Sequence, residues 1–467
     1  MDPEASRAWL WRWAREHWDP ATGFVRNPPG GYAELGTLVG RYLVRETAWF
    51  ALAAVEHGEP DTACRALAAV LDRQYDRPGT AWHGTFPVFT HDPEPGDDAI
   101  EWYSYDPNWR QFVGLALALI LEHHGDALPS HLRAACERAV ITCVAGEPGG
   151  RIAASYTNPA LMHAWLARWV GRRFELPQES ARADELAMAV IGRFRRHGTV
   201  DEFNAPTYYG VDLVAAALWS RVDDPGWAQA GRDLLAGLFD ELRFLYHPGL
   251  RNLCGPFSRA YTLDLASTVT LYGLWRFVAL GDPGSLPPLT RVIPHSHDLF
   301  FAPLIDAARP SAPRPFPADD VTLPRERTFS LPNGVRATAW LGSDVMIGAE
   351  DGGGRGDHVW DQYVPGTVPC RDGDVVRWVA VRGQPDCPVD CGVDGPAALT
   401  VRPASGATGP ILLATNAPLE RTSPQAVQAG ARLRIASDGP LRLEAAWDGR
   451  PLIRGTDPAQ GCRVEAM

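Results

Sequence analysis

The segment 201–210, Asp-Glu-Phe-Asn-Ala-Pro-Thr-Tyr-Tyr-Gly, concentrates side chains that can move protons or bind polar ligands. Two carboxylates, one carboxamide and two phenols lie between two stretches that have the apolar spacing of helices. A segment that only reverses the chain is usually built from residues such as Gly, Asp and Ser, without aromatic side chains. Binding residues tend to lie on loops that a rigid scaffold holds. The composition therefore predicts that 201–210 forms one wall of an active site.

A second segment, 101–110, interleaves four aromatic residues with the carboxylates of Glu101 and Asp106. Because an aromatic ring offers an apolar face to the C–H groups of a sugar, we interpret this segment as a sugar subsite. The alternative is that these rings pack a long loop onto the scaffold. A Gly-rich segment at 350–363 forms either a further cleft loop or an exposed hairpin loop. The aromatic residues that we predict to contact the substrate are Trp102, Tyr103, Tyr105, Trp109, Tyr261 and Trp360.

Asn158 and Arg259 lie in two further segments that separate helical patterns. Asn158 precedes Pro159, a pair that is typical of a helix N-terminus, so a capping role and a functional role both stay open. Arg259 lies between a Gly-Pro turn and a predicted helix start, where the alternative is a solvated side chain. We predict that both residues belong to the site.

The elements that would position these loops are helices. From Ser6 to about Gly281, apolar residues recur every three or four positions, which predicts roughly ten helices. The predicted helices are 6–17, 36–57, 60–74, 108–124, 129–145, 158–172, 179–197, 208–220, 225–243 and 261–280. Short connections alternate with long ones, as in an α/α toroid built of helical hairpins. The long loops would then gather at one mouth. The predicted mouth loops are 75–107, 147–158, 198–208 and 244–260. A superhelical repeat array is the alternative, but no fixed sequence period is present.

The periodicity changes in the last third of the chain. Residues 282–325 are rich in proline, and beyond them short apolar or alternating runs are separated by Gly, Pro and Asp. Seven or more such runs predict an antiparallel β-sandwich. The predicted organisation is therefore an α/α toroid at 1–281, a connector at 282–325 and a β-sandwich at 326–467.

Composition narrows the function further. A net charge of −12 argues against nucleic acid and against an anionic membrane surface as partners. No apolar run reaches transmembrane length and no signal peptide is visible, so we expect a cytoplasmic protein.

The eight cysteines are scattered, and the Cys387–Cys391 pair suggests a chance spacing or a loop disulfide. We predict no cofactor and no metal, and a carbohydrate as the partner; the oligomeric state stays open.

The order Asn158, His197, Tyr208, Arg259 resembles that of the α/α-toroid polysaccharide lyases, the chondroitin AC lyase and heparinase II/III-like group. In those enzymes an Asn, a His, a Tyr and an Arg follow one another along the toroid, with a β-sandwich after it. The resemblance implies removal of the C5 proton of a uronic acid and loss of the sugar at C4.

The resemblance also implies a role for each matching residue. Tyr208 or Tyr209 would act as base and acid, and Arg259 would make the phenol a usable base. Asn158, with Asn204 or His197, would neutralise the substrate carboxylate.

Two other functions remain open from the residues alone. Asp201 and Glu202 place negative charge where an anionic substrate would bind; they either pair with Arg259 or are the catalysts. In the second case the chain is a glycoside hydrolase with Asp106 and Glu202 as its carboxylate pair. The other possibility is a carbohydrate-binding protein without catalysis.

Overall fold

The computed structural model describes residues 3–32, 38–263, 265, 294–308, 322–352, 362–445, 451–455, 457 and 459–467. The chain forms two compact units, each assembled from separate stretches. Unit 1 comprises Met1–Arg193, Tyr209–Leu235 and Ser267–Pro315, and unit 2 comprises Phe194–Tyr208, Ala236–Ala266 and Phe316–Met467. The linear boundaries at 281 and 325 stay a prediction, because 266–293 and 309–321 lie outside the described residues.

Helices dominate the first two thirds of the chain, as predicted. The α-helices of the described residues are α1 Pro3–His17, α2 Arg45–Glu56, α3 Pro60–Leu71, α4 Trp109–His124, α5 Ser130–Ala145, α6 Thr157–Arg173, α7 Pro177–His197, α8 Tyr209–Trp219, α9 Pro225–Leu245 and α10 Ala302–Ala308. The first nine match predicted helices, although α2 begins nine residues later than the pattern suggested. The tenth predicted helix, 261–280, lies almost wholly outside the described residues. No helix that the structure describes is long and apolar enough to span a membrane.

Five helices of unit 1 form a closed ring. α2 packs against α4, α4 against α6, α6 against α8, α8 against α10, and α10 against α2. Every residue of α8, and every residue of α2 from Arg45 to Val55, is buried. By contrast, α3 buries one face only, and it packs outside the ring against α2 and α5. A helix that is apolar all round belongs in the interior, whereas an amphipathic one covers it. Unit 1 is therefore an α/α toroid of inner and outer helices.

The inner helices begin at one end of this ring. Short connections join α2 to α3 and α4 to α5, so each of these two inner helices is followed by an outer helix that returns. Contacts across the starts of neighbouring inner helices agree with this polarity. The Arg45 guanidinium lies 4.2 Å from the ring centroid of Trp109, and Nδ2 of Asn108 donates to Oη of Tyr156 at 2.9 Å. Loops that precede inner helices in unit 1 therefore share one rim.

Two features of the sequence gain detail from the structure. Within the proline-rich stretch, residues 296–301 form a 3₁₀ helix that leads into α10. Cys387 and Cys391 are free thiols, so the loop disulfide is absent and the spacing is a chance pair. Short strands were also missed: β1 Trp18–Asp19, β2 Phe24–Arg26 and β3 Tyr42–Leu43 form one small sheet, and β4 Tyr246–His247 pairs with β5 Asn252–Leu253.

Unit 2 contains the predicted β-sandwich. Its strands are β6 Arg325–Ser330, β7 Arg336–Leu341, β8 Met346–Asp351, β9 Gly366–Asp372, β10 Val375–Val381, β11 Val389–Val393, β12 Ala398–Pro403, β13 Leu412–Thr415, β14 Leu419–Ser423, β15 Ala426–Ala429, β16 Leu433–Ser437, β17 Leu441–Ala445, β18 Pro451–Gly455 and β19 Cys462–Ala466. The two antiparallel sheets have the orders β17-β18-β13-β10-β9-β8-β7-β6 and β11-β12-β19-β16-β15-β14. Buried residues of both, such as Ile347 and Ile435, share one apolar core.

Two segments from the helical part of the sequence pack against the larger sheet within unit 2. The Phe203 ring packs against Phe329 of β6 in a tilted arrangement, with ring centroids 4.9 Å apart. Gly255 approaches β8 so closely that a Cβ on Gly348 would lie 2.0 Å from its carbonyl carbon. His247 contacts the Gly342 carbonyl oxygen at 2.8 Å through Nε2. The sheet therefore supports the loops 198–208 and 246–261, which carry candidate residues.

Candidate active site

Loops 198–208 and 254–261 are tied together in unit 2 by Asn204. This residue is fully buried and has a φ of 48°, a left-handed conformation that Asn tolerates better than most residues. Its Nδ2 donates to the carbonyl oxygens of Cys254 and Pro256 at 2.8 and 2.7 Å. Both amide protons are thus used by backbone acceptors. Asn204 therefore positions the loops, and its amide nitrogen is not available to neutralise a substrate carboxylate.

Arg259 is the centre of the polar group that these loops form. Its Nη1 donates to Oε1 of Glu202 at 2.9 Å, and its Nε donates to Oε1 of Gln362 at 2.9 Å. Its Nη2 donates to Oη of Tyr208 at 2.9 Å, while the guanidinium carbon lies 4.1 Å from the centre of the Tyr208 ring. Glu202 is buried, and the charge of Arg259 offsets its own. The sequence left two roles open for Glu202, pairing with Arg259 or catalysis, and this contact is the pairing. Guanidinium donation to a phenol oxygen stabilises the phenolate form.

The two adjacent tyrosines of 201–210 have different environments. Oη of Tyr208 is also 2.6 Å from Oη of Tyr261, a residue that is 42% exposed. Tyr209 begins α8 in unit 1 and is fully buried. A half-buried phenol beside a cation and a second phenol suits proton transfer, whereas a fully buried ring suits packing. His197 is the last residue of α7 and half-buried.

In unit 1, the rim loops before α4 and α6 are joined by Arg151. Its Nη1 donates to Oδ1 of Asn108 at 3.1 Å, and its Nε and Nη2 donate to Glu147 at 2.5 and 2.8 Å. Nη1 is also 3.5 Å from Oε1 of Glu101. Two of the four predicted mouth loops, 75–107 and 147–158, therefore meet on one rim. The other two, 198–208 and 244–260, meet in unit 2, and a mouth common to all four remains a prediction.

Asp106 and Asn158 both lie at the starts of inner helices. Burial raises the pKa of Asp106 to about 6, against the opposing effects of the Asn108 amide hydrogen bond and the Arg45 charge. Asn158 is buried as the second residue of α6, which begins at Thr157. The predicted N-cap role of Asn158 was therefore wrong, because the capping position is Tyr156.

The predicted sugar-contacting aromatic residues separate into two groups by exposure. Trp102 and Tyr103 are 56% and 89% exposed at the tip of their loop. Tyr105 and Trp109 are buried: Tyr105 belongs to a small apolar cluster, and Trp109 packs under the Arg45 guanidinium. Tyr105 and Trp109 therefore pack their loop onto the scaffold, which was the alternative to a sugar subsite. Trp360 lies outside the described residues.

One polar cluster of unit 1 was missed by the sequence analysis. At the start of α2, Arg45 Nη2 donates to Oε1 of Glu46 at 2.6 Å and to Oη of Tyr32 at 3.0 Å. The Tyr32 ring stacks on His297, with centroids 3.9 Å apart, and Asp298 follows. The string His-Ser-His-Asp at 295–298 was the signal that could have found it, but it fell within the stretch interpreted as a connector.

Comparisons with known proteins give one family match and several similar solved structures. Residues 10–310 match the family "Domain of unknown function (DUF8769)", so the chain belongs to that family. No curated protein matches the chain in sequence. Among solved structures, the chain is similar to the chondroitin AC lyase of Streptomyces coelicolor A3 in complex with chondroitin sulphate, with a TM-score of 0.47, 15% identity, and coverage of 100% of this chain and 80% of that one.

Two further solved structures are similar over most of the chain. A heparinase III, the BT4657 gene product, has a TM-score of 0.32, 9% identity, and coverage of 90% of this chain and 76% of that one. The GH127 β-arabinofuranosidase BT3674 has a TM-score of 0.28, 10% identity, and coverage of 98% and 91%. The chain thus resembles the group that the order of its residues suggested. At these scores the likeness does not decide the activity, which depends on the residues of the site.

Proposed function

We propose that this member of the DUF8769 family is a carbohydrate-active lyase that cleaves uronate-containing oligosaccharides by β-elimination. The observation that carries the proposal is the contact of Arg259 with Tyr208: one guanidinium both donates to the phenol oxygen at 2.9 Å and covers the ring. Glu202 and Gln362 fix that guanidinium from two other sides. Guanidinium donation to the phenol oxygen favours the phenolate form, which can accept a proton from carbon.

The proposed reaction uses Tyr208 twice. Its phenolate oxygen removes the proton at C5 of the uronate, and the C–H electron pair forms a double bond between C4 and C5 as the C4–O bond breaks. The leaving oxygen then takes the proton from the Tyr208 hydroxyl, which restores the phenolate. Charge that develops on the uronate carboxylate needs hydrogen-bond donors. His197, which lies in the same unit as Tyr208, is the proposed donor, since the amide of Asn204 is committed to backbone carbonyls. Asn158 stays a site residue predicted from the sequence.

Product analysis tests this proposal against hydrolysis. Wild-type chain is incubated with a panel of uronate-containing oligosaccharides in ¹⁸O-labelled water. Elimination gives an unsaturated product that absorbs in the ultraviolet and carries no solvent oxygen, whereas hydrolysis incorporates one labelled oxygen. The proposal expects the unsaturated product. Labelled, saturated products from every substrate that is cleaved would contradict it.

A hydrolase remains the second candidate because of Asp106. A pKa raised to about 6 keeps part of this carboxyl protonated near neutral pH, which a general acid of a glycosidase requires. Glu202, its proposed partner, forms an ion pair with Arg259 instead of remaining available as a base, and this favours the lyase. If Asp106→Asn abolishes turnover while Tyr208→Phe leaves it intact, the hydrolase is the better account.

A further inference from the structure

A group of metal-binding side chains lies in unit 1, where segment 294–298 meets the start of α2. His295, His297 and Asp298 each offer one ligand atom, and these atoms lie within 4.8 Å of one another. Nε2 of His297 is 3.6 Å from Oδ1 of Asp298, and Nδ1 of His295 is 3.9 Å from Oδ2. A tetrahedral ion with bonds of about 2.0–2.2 Å holds its donors roughly 3.4 Å apart. Small side-chain movements therefore bring the three donors to bonding distance.

Two buried polar atoms beside this group have unused hydrogen-bonding capacity. Nδ1 of His297 and Oε2 of Glu46 have no hydrogen-bond partner in the part of the chain that the structure describes. His297 is 4% exposed and Glu46 is fully buried, so water does not readily replace the missing partner. An unsatisfied buried polar atom costs about 1–3 kcal/mol, and native proteins contain few of them. The two atoms therefore mark a region that can accept a further polar or charged group.

We infer that His295, His297 and Asp298 bind one divalent transition-metal cation, with Zn²⁺ as the best-suited ion. Two imidazoles and one carboxylate match the preferences of Zn²⁺, whereas Ca²⁺ and Mg²⁺ select oxygen ligands. The Tyr32 ring stacks on His297, which holds the plane of that imidazole. Three protein ligands leave one coordination position for an oxygen ligand, and the 25%-exposed side chain of His295 marks the accessible side.

Metal titration of the full chain tests this inference independently of any sugar-cleaving activity. The chelator-treated protein is titrated with Zn²⁺ by calorimetry and with Co²⁺ by visible absorption. We expect one equivalent of Zn²⁺ per chain and Co²⁺ bands typical of low coordination, with no competition from Ca²⁺. His295→Gly removes one ligand yet accepts the φ of 62°, and it should weaken Zn²⁺ binding at least tenfold. His131→Ala, at an exposed position of α5, is the control and should bind as wild type does.

Two results would overturn the inference. One is the absence of stoichiometric Zn²⁺ binding by the wild-type chain. The other is unchanged Zn²⁺ affinity in His295→Gly. If that variant fails to give a native circular dichroism spectrum, Asp298→Asn takes its place, because it keeps the size of the side chain and removes the charged ligand. Unchanged affinity in Asp298→Asn would reject the site in the same way.

Discussion

At the scale of single residues, the proposed chemistry depends on the guanidinium of Arg259. A lysine at this position keeps the charge but lacks the planar fork that contacts Glu202, Gln362 and Tyr208 together. We therefore expect Arg259→Lys to lower kcat/KM and to move the acidic limb of the pH–rate profile to higher pH, because the phenolate loses stabilisation. Arg251→Lys, an exposed change in the preceding turn, should leave the profile in place. An unmoved acidic limb in Arg259→Lys would exclude Arg259 as the group that activates the base.

At the scale of elements, Asn204 holds loop 198–208 to loop 254–261. Replacing it with Gly keeps the left-handed conformation but removes both hydrogen bonds, and we expect a loss of about 2–3 kcal/mol in the free energy of unfolding. Asn204→Ala should cost roughly 1 kcal/mol more, since Ala is strained at this φ. Urea unfolding of both variants measures this. Stability equal to wild type in Asn204→Gly would mean that the two hydrogen bonds do not hold the loops.

The tip of loop 75–107 should act in substrate binding rather than in catalysis. Trp102 and Tyr103 are exposed, so their loss removes little packing. Trp102→Ala and Tyr103→Ala are expected to raise KM with little change in kcat, which is the signature of lost uniform binding. Ile100→Ser is the matched control, because Ile100 is 64% exposed on the same loop but has no aromatic face. A fall in kcat with unchanged KM would contradict a binding role.

At the scale of the whole molecule, one buried carboxyl of unit 1 links stability to pH. Burial and the charge of Asp306 raise the pKa of Glu56 to about 7, although Arg7 opposes the shift. Because the folded pKa lies above the unfolded one, the contribution of Glu56 to stability is fully present below about pH 4.5 and is lost as pH rises through 7. Glu56→Gln should therefore gain stability relative to wild type between pH 5 and pH 8, on the order of 2 kcal/mol.

Thermal or urea unfolding at the two pH values measures this gain. Glu185→Gln, an exposed substitution on α7, should show none. If the difference in stability between Glu56→Gln and wild type did not change with pH, Glu56 would not be the cause of the pH dependence.

The periodicity of apolar residues predicted helices followed by strands, because each inner helix and each strand shows that periodicity in its own sequence. It did not predict β9, which includes Gly366 and Pro369, or the helical part of the proline-rich stretch, since tertiary contacts override local preference there. Tyr208 and Glu202 were predicted as site residues from the composition of 201–210, and Arg259 from its position and from the resemblance to the lyases. The contact of Gln362 with Arg259 depends on long-range packing, which no local pattern encodes.

The most direct test of the central claim compares Tyr208→Phe with Tyr209→Phe on a uronate-containing oligosaccharide that the wild type cleaves. Loss of a general acid–base typically costs about 10²–10⁴-fold in rate. The proposal predicts a loss of that size for Tyr208→Phe, whose phenol contacts Arg259 and Tyr261, and a rate near wild type for folded Tyr209→Phe. A near-wild-type rate in Tyr208→Phe would contradict the claim that this phenol transfers the proton.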